Sequence, residues 1–147
     1  MDVMTAVRQE GISTSIAEAL AGFALGLHFD DIPHTVIERA KLHMLDALGI
    51  ALASSAEDFA HRIVNGLAPL SGRGHYPVIG FSYRLPIRDA VLVNGALVHG
   101  IDFDDTHSAG VLHVSASALP AALAAAQSVG GGGRDALLAY LICVETA

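Results

Sequence analysis

Acidic and imidazole side chains are concentrated between positions 99 and 113. The six residues of this type are His99, Asp102, Asp104, Asp105, His107 and His113. Because 52% of the chain is hydrophobic, such a cluster is costly unless its members are solvated, paired or used in chemistry. Three interpretations compete for it: acid/base catalysis, a metal site and an acidic surface loop.

The first interpretation is acid/base catalysis, because a carboxylate near an imidazole gives two proton-transfer groups whose pKa values can be pushed towards neutrality from opposite sides. The hydroxyl of Thr106 could in addition orient the carboxylate of a substrate. His113 immediately precedes a predicted helix, at the positive end of its dipole, where an anion is also attracted. These features predict proton transfer on an anionic ligand.

The other two interpretations depend on spacing and on local hydrogen bonding. Histidine and aspartate suit a divalent ion, but the spacing matches neither H-E-x-x-H nor a regular calcium-binding loop. We therefore predict no metal. An acidic surface loop, whose Asp side chains cap the following turn, is the third alternative.

Hydrophobic periodicity predicts a mainly α-helical fold around this cluster, with a short extended pair or loop near 76–85. Ser15 and Glu18 form the pattern of a capping box. Pro120 is expected either to kink its helix or to mark its first turn. The predicted helices cover about 16–27, 33–54, 56–67, 86–100 and 114–128, and a last one runs from about 134 to the end; 101–112 is predicted to be a loop.

Composition excludes several classes of protein. The net charge is −7, from 15 acidic and 8 basic residues, and no basic stripe is present, so we expect no nucleic-acid partner. The single cysteine, Cys143, excludes a disulfide framework and favours a reducing compartment. No apolar run is long enough to span a membrane, and the first residues lack the pattern of a signal peptide. We therefore expect a cytoplasmic protein without a membrane segment.

The central motif also resembles a known family. Asn94-Gly95, His99 and the run from Asp102 to His107 form the string N-G-x(3)-H-x(2)-D-F-D-D-T-H, which His113 and Leu119-Pro120-Ala121-Ala122 follow. Together with Ile32-Pro33 before a long helix, this pattern resembles the MmgE/PrpD family. The family includes 2-methylcitrate dehydratase, cis-aconitate decarboxylase and iminodisuccinate epimerase. One departure is Val114, where the family commonly has proline.

The resemblance implies a function and a set of site residues. It implies a lyase, either a dehydratase or a decarboxylase, that works without a cofactor. Its substrates would be small di- or tricarboxylates such as 2-methylcitrate or cis-aconitate, and the reaction would begin by removing a proton next to a carboxylate. The catalytic residues would be Asp102, Thr106 and His113, and the substrate-binding residues His99, Asp105 and His107. Asp102 could instead hold a neighbouring base, and His99 could instead stabilise the end of its helix. The alternatives are an epimerase of the same family and an inactive helical module.

The resemblance also implies a longer protein. The last predicted helix still continues at Ala147 without a stop signal, and family members are considerably longer. We therefore expect residues 1–147 to be a partial, apparently truncated helical domain, with the family's lid domain absent from this chain. Such a piece should be weakly active or inactive alone, and should form a homodimer or associate with the missing C-terminal part.

Overall fold

Six α-helices form most of the regular structure in residues 15–147, the part of the chain that the computed structural model describes. They are α1 (Ile16–Gly26), α2 (His34–Ser54), α3 (Asp58–Ser71), α4 (Ile87–His99), α5 (Val114–Ser128) and α6 (Gly133–Thr146). A 3-10 turn, Phe29–Asp31, joins α1 to α2. Strands β1 (Tyr76–Pro77) and β2 (Arg84–Leu85) pair antiparallel between α3 and α4. The predicted mainly α fold with a short extended pair is confirmed. The prediction about a signal peptide lies outside the described residues.

The capping box at the start of α1 is confirmed. The Glu18 N–H donates to the Ser15 hydroxyl at 3.2 Å, and the Ser15 N–H donates to the Glu18 carboxylate at 2.8 Å. These bonds with Ser15 hold the pKa of Glu18 below its usual value. Two donors that would otherwise lack a partner at the helix end are thereby satisfied.

The structure corrects three predictions that involve prolines. The third helix was expected to end near 67, but α3 continues past Pro69 to Ser71 and stops at Gly72, whose φ is 77°. Pro120 lies well inside α5, which begins at Val114, so the prediction that it marks a first turn is wrong. Pro33 lies immediately before α2, as its N-cap, and not at the first helical position.

The core lies where α5 packs between α4 and α6, with α2 crossing α4. Val93 and Leu97 of α4, Leu119 of α5 and Tyr140 of α6 are fully buried there. The buried surface of α5 is otherwise rich in alanine, at positions Ala118, Ala122, Ala124 and Ala126. Small side chains let neighbouring helices approach closely, which fixes the ends of α4 and α5 relative to each other.

No helix within 15–147 combines the length and the hydropathy that crossing a lipid bilayer requires.

Candidate active site

The loop over 100–112 joins two packed helices and brings two histidines together. His99 is the last residue of α4, and His113 is the N-cap residue of α5. Their ring centroids lie 4.7 Å apart, with the ring planes at 62°. The contact between α4 and α5 therefore determines the separation of these imidazoles.

Asp104 lies beneath both imidazoles, and its side chain is 0% exposed. Its Oδ1 atom is 3.1 Å from Nδ1 of His99 and 3.2 Å from Nδ1 of His113. The Nδ1 atom of His113 is buried and is not aligned for a hydrogen bond with any group in the described residues. A buried nitrogen without a hydrogen-bond partner costs roughly 1–3 kcal/mol. If Nδ1 of His113 carries a proton, Asp104 is therefore the group best placed to accept a hydrogen bond from it.

Sequence reasoning placed Asp104 in the cluster but did not select it as a site residue. The loop has no periodicity, so nothing in the sequence distinguishes the buried carboxylate of Asp104 from the exposed one of Asp102. The neighbouring Phe103 is 79% exposed, against the usual preference of phenylalanine for the interior. Burial in this loop is therefore set by its backbone path and not by hydrophobicity.

Asp102 lies on the exposed side of the loop, close to His113. Its side chain is 81% exposed, and its Oδ1 atom is 3.9 Å from Nε2 of His113. Its backbone has a φ of 53°, in the left-handed region that aspartate tolerates better than most residues. Val111, across the loop, has a φ of 52°, which is unfavourable for a β-branched residue. Such strained conformations cluster at functional sites.

An open cleft of about 800 Å³ adjoins the two imidazoles, between α4, α5 and the loop. His99 and His113 line it, and Ser117 adds a hydroxyl group; its other lining side chains are apolar or are glycines. No lysine or arginine lines the cleft in the described part of the chain. A ligand there would meet two imidazoles on a mostly apolar wall.

Four of the predicted site residues, Asp102 among them, lie in the loop but do not line this cleft, within residues 15–147. Asp105 accepts a hydrogen bond from the Ser115 N–H at 3.0 Å, and its other oxygen is 3.8 Å from Nδ1 of His43. It thereby caps α5, because the N-cap residue makes no such bond with its own side chain. His107 accepts from the Gly110 N–H at 3.0 Å, which stabilises a turn. Thr106 is exposed.

A buried pair of hydroxyl groups, on Ser115 and Tyr140, links the beginning of α5 to α6. The hydroxyl groups of Ser115 and Tyr140 are 2.7 Å apart and buried. Burial raises the pKa of Tyr140, more than the hydrogen bond with Ser115 lowers it. This pair links α5 to α6 two residues after His113, and so restrains the position of that histidine.

The cluster could also hold a cation. One donor atom from each of His99, Asp102, Asp104 and His113 lies within 4.8 Å of the others. Two imidazoles and two carboxylates suit a divalent transition metal. The spacing in the sequence did not predict this donor set, because the loop brings the four residues together without a regular repeat.

Comparison with known proteins identifies relatives of the chain. The family model described as the MmgE/PrpD N-terminal domain matches residues 18–147. A cis-aconitate decarboxylase-like protein, oryM, of Aspergillus oryzae is 30% identical over 139 residues, which cover 90% of this chain and 29% of that protein. The cis-aconitate decarboxylases of Mus musculus and Homo sapiens are 32% and 33% identical over 137 residues, which cover 89% of this chain and 28% of each enzyme. The chain thus spans less than a third of the length of these relatives.

Proposed function

Because the chain belongs to the MmgE/PrpD family, we propose that it is the N-terminal part of a lyase that acts on small di- or tricarboxylates. Lyase chemistry at a carbon next to a carboxylate requires groups that remove and return protons. The observation that carries the proposal is the pair of imidazoles, His99 and His113, held against one buried carboxylate at the edge of an open cleft.

The proposed reaction begins at the carbon next to a substrate carboxylate. An imidazole nitrogen takes a proton from that carbon, and the electron pair left behind is delocalised into the carboxylate. A dehydratase then expels hydroxide from the neighbouring carbon as water, with a proton from an acid. A decarboxylase omits this deprotonation. The bond between a carboxylate and its carbon breaks to release carbon dioxide, the electron pair stays on the remaining carbon skeleton, and one carbon of that skeleton takes a proton from a protonated imidazole. Imidazoles suit both steps because their pKa lies near neutrality.

The predicted roles carry over to this site in part. We propose that His113 transfers protons and that Asp102 and Thr106, exposed at the loop, contact the substrate. His99 is proposed to bind substrate from the same cleft. Asp105 and His107 support the loop through the bonds described above, so their proposed contribution to binding is indirect.

The choice of substrate is proposed from the relatives. Because these relatives are cis-aconitate decarboxylases or are described as similar to them, decarboxylation of cis-aconitate is the first reaction to test, ahead of dehydration of 2-methylcitrate. Epimerisation of an iminodisuccinate-type acid, in which the proton returns to the opposite face, is the alternative within the family. A helical module without activity is the alternative outside it.

Charge limits what this chain can do alone. A tricarboxylate binds best to several cationic partners, whereas the cleft is lined by no lysine or arginine among the described residues. We propose that these partners come from another part of a longer protein, since the relatives are more than three times the aligned length. The 147-residue chain should then be weakly active or inactive.

The test is a turnover assay on the intact product of the gene in its own host, with the 147-residue chain assayed beside it. The intact mass is measured first, against 15.2 kDa for this chain. Cis-aconitate and 2-methylcitrate are supplied, and release of carbon dioxide and loss of water are recorded. Turnover of either acid by a product of larger mass supports the proposal. A product of 15.2 kDa, or a larger one that turns over neither acid, contradicts it.

A further inference from the structure

We propose that Asp104 is a positioning residue that holds both His99 and His113 by their Nδ1 atoms. It would thereby select the same tautomer, protonated on Nδ1, in both rings. The Nε2 atoms of both rings would then carry the free electron pairs. The catalytic meaning of this arrangement rests on the proposed function, whereas the arrangement itself does not.

The distances place one carboxylate oxygen against both rings. Oδ1 of Asp104 is 3.1 Å from Nδ1 of His99 and 3.2 Å from Nδ1 of His113. Oδ2 is also within reach of His99, at 3.3 Å. A carboxylate can only accept when ionised, so each Nδ1 must carry the proton for these contacts to be attractive.

Burial makes these contacts difficult to replace. The side chain of Asp104 is 0% exposed, and a buried carboxylate needs partners. The Nδ1 atom of His113 is also shielded from water and has no aligned partner in the described residues. Water therefore competes poorly for this nitrogen, and Asp104 is the carboxylate that faces it.

Asp102 is the group that could favour the opposite tautomer of His113. Its Oδ1 atom faces Nε2 of that ring, but at 3.9 Å and with the side chain 81% exposed. That distance exceeds hydrogen-bond length, and solvent screens an exposed charge. The buried Asp104, at 3.2 Å, should therefore determine the tautomer of His113. The Nε2 atom of His113 is then unprotonated and available as a base.

The first experiment measures the tautomers directly in the 147-residue chain. Long-range ¹⁵N–¹H correlation spectra report which ring nitrogen of each neutral histidine carries the proton. They are recorded near pH 8.5, about two units above the ordinary histidine pKa, with EDTA present to remove cations. Variants His99→Gln and His113→Gln assign the signals. Protonation on Nδ1 in both residues supports the proposal, and protonation on Nε2 in either one overturns it.

The second experiment removes the charge of Asp104. Asp104→Asn keeps the shape of the side chain, and its amide can accept or donate, so the uniform preference for Nδ1–H should be lost in both rings. Asp58→Asn, which removes an exposed carboxylate on α3, should change neither ring. Unchanged tautomers in a folded Asp104→Asn variant would overturn the proposal. If that variant fails to fold, the tautomers measured in the unaltered chain still support or overturn the proposal.

These readouts separate the inference from the proposed function. A chain with both rings protonated on Nδ1 but whose parent protein turns over no carboxylate would retain the positioning role and lose the lyase proposal. If the parent protein turns over a carboxylate but either ring carries its proton on Nε2, the lyase proposal stands and the positioning role of Asp104 is wrong.

Discussion

At the scale of single residues, the chemistry depends on which carboxylate is buried. The sequence predicted a proton-transfer cluster and selected His113 and Asp102 within it. It did not select Asp104, because three aspartates in four positions carry identical local signals. Only the backbone path of the loop buries one of them beneath both imidazoles. Spacing likewise did not show that Asp105 caps α5, because its partner Ser115 is ten residues away.

The buried pair beneath His113 gives a prediction on stability. Ser115→Ala leaves the Tyr140 hydroxyl without its partner at 2.7 Å, and Tyr140→Phe does the same to Ser115. Each single change should lower the free energy of unfolding by about 1–3 kcal/mol, the cost of an unpaired buried polar group. The double variant should lose less than the sum of the two, which urea titration can measure. Strict additivity would show that the two hydroxyl groups do not interact.

The same tyrosine gives a prediction on pH. Burial raises the pKa of Tyr140 above its usual value, so the folded state holds the proton more tightly than the unfolded state. The resulting stabilisation is complete below about pH 10, the ordinary tyrosine pKa, and is lost as the pH rises through the folded pKa. The stability of the unaltered chain relative to Tyr140→Phe should therefore fall above pH 10. The exposed Tyr83→Phe serves as control, and an equal fall there would contradict the assignment.

At the scale of elements, local sequence patterns predicted most helices but did not predict the contact between α4 and α5. The capping box at Ser15 and the helix following Pro86 are local patterns, and both are confirmed. The contact between α4 and α5 is not local. Pro120 has no N–H to donate to the carbonyl of Ala116 four residues earlier, and Gly95 of α4 lies against that carbonyl. No sequence window contains both sides of this contact.

This contact predicts opposite effects for two glycine substitutions. A methyl group at Gly95 would lie 2.8 Å from the carbonyl oxygen of Ala116. Overpacking of this kind costs about 1–3 kcal/mol, which exceeds the gain of about 1 kcal/mol in helix propensity, so Gly95→Ala should destabilise the chain. Gly66→Ala, in α3 with open space around it, should stabilise it by about 0.5–1 kcal/mol. Thermal unfolding compares the two, and a stabilised Gly95→Ala variant would show that the helices are not in close contact.

At the scale of the whole molecule, the chain exposes apolar surface that a longer assembly would cover. Three leucines on α2, Leu42, Leu45 and Leu52, are 60%, 66% and 56% exposed. They recur at helical spacing and so share one face. Exposed apolar patches of this kind mark interaction surfaces. The extent of this surface could be anticipated from the 52% hydrophobic composition, but its position required the packing of α2 on α4.

We therefore expect the 147-residue chain to self-associate. Light scattering should give a mass above 15.2 kDa that increases with concentration. Leu45→Glu should weaken this association, whereas Leu70→Glu, an equally drastic change at the end of α3, should have less effect. A chain that remains monomeric at all concentrations would contradict the expectation.

Substitution of His113 tests the central claim most directly. His113→Ala is introduced into the complete protein that carries this segment, with the exposed His34→Ala as a matched control, and turnover of the accepted carboxylate is measured beside helicity by circular dichroism. If His113 transfers protons, turnover falls by about 100-fold or more, the usual contribution of such a group, while helicity and the control are unchanged. If the His113→Ala protein stays folded and keeps the activity of the control, the assignment of the site is wrong.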